Sequence, residues 1–178
     1  VKVGGIDANG ITWKLTTEDN GANYTLTISG NGAMEDYSDM TTVPWSKNKI
    51  GEVVFNKITK VVVEEGVTHI GNLSLSNLGY YNSNNAEIQF DLPSTLLSIG
   101  KDAFANSYGL RSLEIPASVN AIGSSIHRNC INLSSITVAE GNTTYKAIDN
   151  CLLTANGQRL ILGCKNSIIP DNVVTILH

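Results

Sequence analysis

The chain has 178 residues, 42% hydrophobic and 16% charged, with a formal net charge of −4 and a mean hydropathy of −0.01. Aliphatic residues are spread throughout, which excludes a disordered chain, and no apolar run is long enough to span a bilayer. The acidic balance and the lack of a basic cluster speak against nucleic acid and anionic membrane as partners.

Val1-Lys2-Val3-Gly4 carries no signal-peptide pattern and reads as a mature or engineered start, which leaves export open. Ile11–Leu15 and Tyr24–Ile28 alternate apolar and polar residues on either side of the polar stretch Thr16–Asn23, and predict an antiparallel hairpin. Trp13 and Trp45 are expected to seal the open end of the repeats that begin near residue 57, and Val53-Val54-Phe55 to continue the sheet. Residues 1–56 thus read as a β cap over a sheet edge that would otherwise invite pairing. Asp36-Tyr37-Ser38-Asp39 offers two carboxylates and no third ligand, which falls short of a calcium site.

From residue 57 to 178 a short phrase recurs as Val67-Thr68-His69-Ile70-Gly71, Leu96-Leu97-Ser98-Ile99-Gly100 and Val119-Asn120-Ala121-Ile122-Gly123, the last two 23 residues apart at every position. A fixed period in the twenties predicts a solenoid, whose units bury their apolar faces against one another. The units fall at about 58–85, 86–109, 110–132, 133–159 (with an inserted hairpin) and 160–178 (truncated), so the chain is expected to be a piece of a longer protein. In the clearest unit, Leu113 and Ile115 alternate onto one face of a strand, Pro116 ends the ladder, and Val119 and Ile122 return to the core. Gly123 is expected to permit a tight bend. Lys101–Asn106 reads as a short helical turn with Ala103 and Phe104 inward, slots that Ile126 and His127 take in the next unit. One unit's few aliphatic side chains cannot offset the cost of ordering its own backbone, so each unit needs its neighbours.

Cys130 holds a repeat position and reads as a small buried hydrophobe. Cys151 and Cys164 flank a segment in which Asn156-Gly157 predicts a hairpin. Pairing across that turn places Cys151 near Leu162, so a 151–164 disulfide is not favoured and the compartment stays open.

The pattern Leu110-x-x-Leu113-x-Ile115-Pro116-x-x-Val119-x-x-Ile122-Gly123, with Ala103-Phe104 or its equivalent and then Cys130-x-x-Leu133, resembles the BspA-like, or treponemal-type, leucine-rich repeat family over about 57–178. Ile11–Leu15, Leu26–Met34 and Pro44-Trp45 are similar to segments that precede such repeats. The chain departs from the pattern at the polar insertion 76–85, at Ser107 for Cys, at His127 for Phe, and at Ala139-Glu140-Gly141 for the Ile-Pro step. The resemblance implies a β-rich leucine-rich-repeat solenoid, a right-handed coil of short parallel strands with little helix and an N-terminal antiparallel β cap. It further implies a secreted or cell-surface protein of a host-associated bacterium, non-enzymatic, adhering to a host or bacterial surface protein or to a glycan.

No zinc motif, nucleophile elbow, phosphate loop or dinucleotide fingerprint occurs, and no cofactor or metal is expected. His69 is expected at the surface and His127 buried and hydrogen-bonded. Asp91 and Glu114 hold equivalent positions on strands expected about 4.8 Å apart, near a retaining-glycosidase spacing. A smooth ladder, however, provides no cleft that excludes water. Residues between the core positions are expected to project outward: Thr59, Lys60 and Val62; Ile88, Gln89 and Asp91; Arg111, Ser112 and Glu114; Ser134, Ser135 and Thr137. Of these, Lys60, Gln89, Asp91, Arg111, Ser112, Glu114, Ser135 and Thr137 form the candidate partner-binding face, one continuous polar strip. Tyr80 and Tyr81 mark a candidate contact loop, since tyrosine gives amphipathic area at low entropic cost. The alternatives are a rigid spacer in a larger surface protein and a carbohydrate-binding or carbohydrate-active module.

Overall fold

Trp13 and Leu15 are buried while Thr12, Lys14 and Thr16 face water, so the alternation written in the sequence becomes a half-buried strand. In the computed structural model, which describes residues 3–80 and 86–177, a short strand β1 (Gly4–Ile6) runs antiparallel to β2 (Thr12–Thr16). β2 in turn pairs with β3 (Tyr24–Ser29), Trp13 facing Ile28 and Leu15 facing Leu26. This is the predicted hairpin, with an added edge strand that the alternation pattern does not mark. After β4 (Gly32–Ala33) come two single-turn helices, α1 (Lys47–Ile50) and α2 (Glu52–Phe55).

The second helix corrects the expected strand at Val53–Phe55. Val54 and Phe55 are both buried and Val53 is exposed, a pattern that a half-buried strand cannot produce. Gly51, at φ 89°, separates the two turns and starts α2.

From here the chain visits three parallel ladders in a fixed order. The first is made of β3, β5 (Ile58–Val63) and β7 (Gln89–Asp91), with Val61 beside Leu26 and Phe90. The second joins β4, β6 (Val67–Ile70), β8 (Ser98–Ile99) and β10 (Ala121–Ile122), and puts Ile70, Ile99 and Ile122 side by side. The third consists of turns. Leu75 N–H donates to the Ala103 carbonyl and Phe104 N–H to the Ile126 carbonyl, each reaching into the next unit. Asn77, Asn106 and Asn129 adopt left-handed φ of 62°, 59° and 60° in these turns, which asparagine tolerates better than most residues. Their amides form a ladder of their own, Asn106 Nδ2 to Asn77 Oδ1 at 3.1 Å and Asn129 Nδ2 to Asn106 Oδ1 at 3.0 Å. Lys101–Asn106 is therefore a turn and not a helix, with Ala103, Phe104 and Ala105 fully buried.

The glycine that ends each phrase has a different purpose from the one expected. Neither Gly71, Gly100 nor Gly123 is among the left-handed glycines. Instead, each abuts the backbone of the unit before it. A Cβ on Gly100 would lie 2.6 Å from Asn72 N, and one on Gly123 would lie 2.5 Å from Lys101 N. Close stacking, not a bend, excludes a side chain there.

Strand β9 (Ser112–Ile115) pairs in parallel with β11 (Ser135–Val138), Leu113 beside Ile136 and Glu114 beside Thr137. Yet β7 and β9 are not ladder neighbours, so the first ladder is split in two. Ile88, expected to project outward, is buried instead against Gly109, which has no side chain to exclude it.

The C-terminal sheet is made of β12 (Tyr145–Ile148), β13 (Cys151–Thr154), β14 (Arg159–Leu162) and β15 (Thr175–Ile176). The Asn156-Gly157 turn joins β13 to β14 as predicted. A bulge brings Leu152, and not Cys151, opposite Leu162. A second hairpin, between β12 and β13, turns on Asp149 and Asn150 at φ 49° and 60°, the two positive values that a tight two-residue turn requires. One core cluster runs from Ile11 to Leu162, and Cys151, Leu153 and Leu160 form a small second one on the other face of the hairpin.

Candidate functional site

Outward residues of the first ladder make the candidate face. Gln89, Asp91, Ser112, Glu114 and Thr137 are exposed, and Lys60, Arg111 and Ser135 are half-buried. Lys60 Nζ lies 2.7 Å from Asp91 Oδ2, a diagonal ion pair across β5 and β7. With side chains 38% and 56% exposed, this pair is screened and stabilises little. The Arg111 carbonyl accepts hydrogen bonds from Ser134 N–H at 2.9 Å and Ser135 N–H at 3.3 Å, which binds the two strands below the face.

The split between β7 and β9 interrupts the strip that the sequence predicts as continuous. It opens a shallow cleft of about 410 Å³. Phe90 and Leu92 line it from one side and Pro116 and Ala117 from the other, with Asp91 and Glu114 along it. Phe90 packs edge-on against the buried Phe104, ring centroids 5.4 Å apart, so the aromatic wall is held rigidly. The spacing along the chain does not mark the split: Phe90 and Leu113 are 23 residues apart, the regular period, and the extra residues between Ile70 and Ile99 precede β7, which still pairs with β5. Both carboxylates are exposed, and Asp91 is paired with Lys60. The cleft is open to water and supplies no apolar enclosure of the kind that sets a glycosidase acid apart.

His69 is not a free surface group. It is half-buried, with Nδ1 2.7 Å from Ser98 Oγ and Nε2 3.1 Å from Asp36 Oδ1. Asp36 also accepts the Asn72 N–H at 2.7 Å. Partial burial works to raise the Asp36 carboxyl, but Asn72 and His69 together outweigh it and hold it below the usual carboxylate range. Serine, histidine and aspartate in a row suggest a hydrolytic triad. The N–H groups of Leu97, just before Ser98, and of Gly100, two residues after it, are committed to the Thr68 and Ile70 carbonyls at 2.8 and 2.7 Å. Both donors are thus spent in the ladder between β6 and β8. The three residues act as a brace from the N-terminal segment across β6 to β8. Asp39 turns away to cap the Thr41 N–H at 2.8 Å, so the two carboxylates of 36–39 do not converge.

His127 is partly buried. Burial lowers its pKa, only partly countered by a hydrogen bond with the Gly163 backbone, and its Nδ1 has no partner among the described residues. Ser107, where the repeat pattern has cysteine, donates to the Leu75 carbonyl at 2.7 Å, while Cys130 Sγ reaches the equivalent Phe104 carbonyl at 3.0 Å. Burial pushes the Cys130 thiol up to about 11, so it is inert. All three cysteines are unpaired. Tyr80 is exposed and packs on Tyr108 with ring centroids 4.7 Å apart, and Tyr81 lies outside the described residues. Among the described residues no three His, Cys, Asp or Glu side chains converge as metal ligands, and no helix is long and apolar enough to cross a membrane.

No curated protein matches the chain. Among solved structures it is similar to a leucine-rich repeat protein from Eubacterium ventriosum, with 25% identity and a TM-score of 0.52 over 93% of this chain and 53% of that one. It thus spans about half the length of that relative. It is also similar to a leucine-rich cell surface protein from Faecalibacterium prausnitzii (17% identity, TM-score 0.49, 99% of this chain and 73% of that one). The pneumococcal vaccine antigen PcpA matches at 17% identity and a TM-score of 0.46, over 99% of this chain and 61% of that one. The family model for the BspA-type leucine-rich repeat region matches residues 74–176 in 6 copies. With β-rich units, parallel ladders and phrases in register, the chain belongs to the BspA-type leucine-rich repeat family.

Proposed function

We propose that this chain is a non-enzymatic binding module of a secreted or surface-exposed bacterial protein. In this reading residues 57–178 form a solenoid, residues 1–56 cap its first unit, and the strand face adheres to a host or bacterial surface protein or to a glycan. The supporting observation is the cleft between β7 and β9, which sets a fixed aromatic ring, Phe90, beside Asp91, Ser94 and Glu114. An aromatic in a depression with a polar rim is how interfaces concentrate affinity. Lys60, Arg111, Ser135 and Thr137 extend the same face, and Tyr80 adds a rigid aromatic contact at the loop. A single such depression gives modest affinity, which repetition along a longer array multiplies.

The test is retention of labelled bacterial and host surface proteins, and a glycan array, on the immobilised chain. The double variant Arg111→Ala with Glu114→Ala is expected to lose the retained partner while its melting temperature stays unchanged. Equal retention by the variant removes the strand face from this role. A second reading, a rigid spacer, is favoured by the asparagine ladder Asn77–Asn106–Asn129, which clamps successive units; it expects no retained partner at all.

A further inference from the structure

Four asparagines of this chain precede a glycine: Asn9, Asn20, Asn31 and Asn156. The step is chemically reactive, because glycine has no side chain to keep its own amide nitrogen from attacking the asparagine side-chain carbonyl. The attack needs an asparagine side chain that is free to turn and a glycine N–H released from its hydrogen bond. The fold supplies these unequally.

At three of the four steps the glycine N–H is committed to a backbone carbonyl. Gly10 N–H donates to the Asp7 carbonyl at 3.2 Å, Gly32 N–H to the Gly66 carbonyl at 2.9 Å and Gly157 N–H to the Thr154 carbonyl at 2.7 Å. The asparagine side chains are held there as well. Asn9 Nδ2 donates to the Ala33 carbonyl at 3.2 Å. Asn156 Oδ1 accepts from Thr154 Oγ1 at 2.7 Å and from Gln158 N–H at 3.1 Å. Asn31 Oδ1 lies against Gly66, where an added Cβ would meet it at 2.6 Å. Asn20 differs on both counts. It is exposed, and its side chain has no hydrogen-bond partner among the described residues. Gly21 N–H donates to the Thr17 hydroxyl at 3.0 Å, a rotatable acceptor in an exposed loop.

We propose that Asn20 is a site of spontaneous deamidation and that the fold protects the other three. The Gly21 nitrogen bonds to Asn20 Cγ, the Cγ–Nδ2 bond breaks, and ammonia leaves with the Gly21 amide proton. Water then opens the cyclic imide at one carbonyl or the other, which leaves aspartate or isoaspartate. Asparagine and water thus become an acid and ammonia, with no oxidant or further reactant. Either product adds a negative charge beside Glu18 and Asp19. Lys57 Nζ donates to the Gly21 carbonyl at 2.7 Å, which ties the loop between β2 and β3 to the start of β5. Isoaspartate lengthens the main chain by one methylene just before Gly21 and draws that carbonyl off Lys57, so the conversion loosens the tie.

The folded chain is kept in mildly alkaline buffer at physiological temperature and sampled by peptide mapping with mass spectrometry. Asn20 should convert first, with the other three unchanged over its half-life. In concentrated urea all four should convert at similar rates, since each is followed by glycine. Thr17→Val, which leaves Gly21 N–H without its acceptor, should speed Asn20 about three- to tenfold, the value of one hydrogen bond, and leave the other sites alone. Thr17→Ser should keep the parent rate. Earlier conversion of another asparagine, four equal rates in the folded chain, or an unchanged rate in Thr17→Val overturns the proposal. Ion exchange separates the isoaspartyl chain, which should melt below the parent, whereas Lys57→Met should melt alike before and after conversion. Equal melting of parent and isoaspartyl chain, or a further drop in Lys57→Met, overturns the link to Lys57. None of these readouts involves the strand face, so the proposal stands or falls separately from the adhesive reading.

Discussion

At the scale of residues, slots that repeat from unit to unit are filled by chemistry that differs from unit to unit. Ser107 and Cys130 make the same contact to a turn carbonyl, so the serine is an equivalent of cysteine and not a defect. His127 is less well accommodated than Phe104, its counterpart one unit earlier, which is fully buried. Burial lowers the His127 pKa from its ordinary 6.5. The folded state therefore takes up the proton less readily than the unfolded one, and stability falls as pH drops below about 6.5, levelling once the folded-state imidazole itself is protonated. His127→Phe should raise the urea midpoint at about pH 5 more than at about pH 7.5 and flatten the slope between them. An unchanged slope would assign the pH dependence elsewhere. The Asp36 carboxyl, lowered by Asn72 and His69, acts in a separate window. Its contribution is present above the ordinary carboxylate range and is lost only on further acidification.

At the scale of elements, two local signals gave the right element and two gave the wrong reason or the wrong structure. Alternation at Ile11–Leu15 and Tyr24–Ile28 is a backbone property of strands, and it survived into β2 and β3 in register. The Asn156-Gly157 turn survived likewise. Val53–Phe55 has strand-forming side chains, but the chain needs two adjacent residues inside at that point, and a turn of helix supplies them. The Ile-Gly step was legible as a repeat, and its reason was not: what forbids a side chain at Gly123 is the neighbouring unit's backbone. Gly123→Ala should cost about 1–3 kcal/mol by forcing two units apart. Urea denaturation checks this, and a near-neutral result would show that the ladder between β8 and β10 yields easily.

At the scale of the molecule, sheets join the N-terminal strands to the segments that follow them. β3 pairs with β5 and β4 with β6, and the core cluster is continuous from Ile11 to Leu162. Removing residues 1–56 would expose Val61, Val63, Val67 and Ile70, all at most 3% exposed, and two ladder edges. The remaining fragment should lose its cooperative melting transition and bind a hydrophobic dye. A sharp transition in the fragment would show that the repeats fold without that segment.

The sequence by itself determined what repeats along the chain: which residues alternate, which recur at 23, and which therefore share a buried row. Those are local rules of backbone geometry and apolar spacing, readable one unit at a time. Only the tertiary structure decided how well successive units meet. The split between β7 and β9, the inward turn of Ile88, and the brace of His69 between Asp36 and Ser98 all arise between residues far apart in the chain. Their positions depend on packing across units, which no single unit's pattern contains.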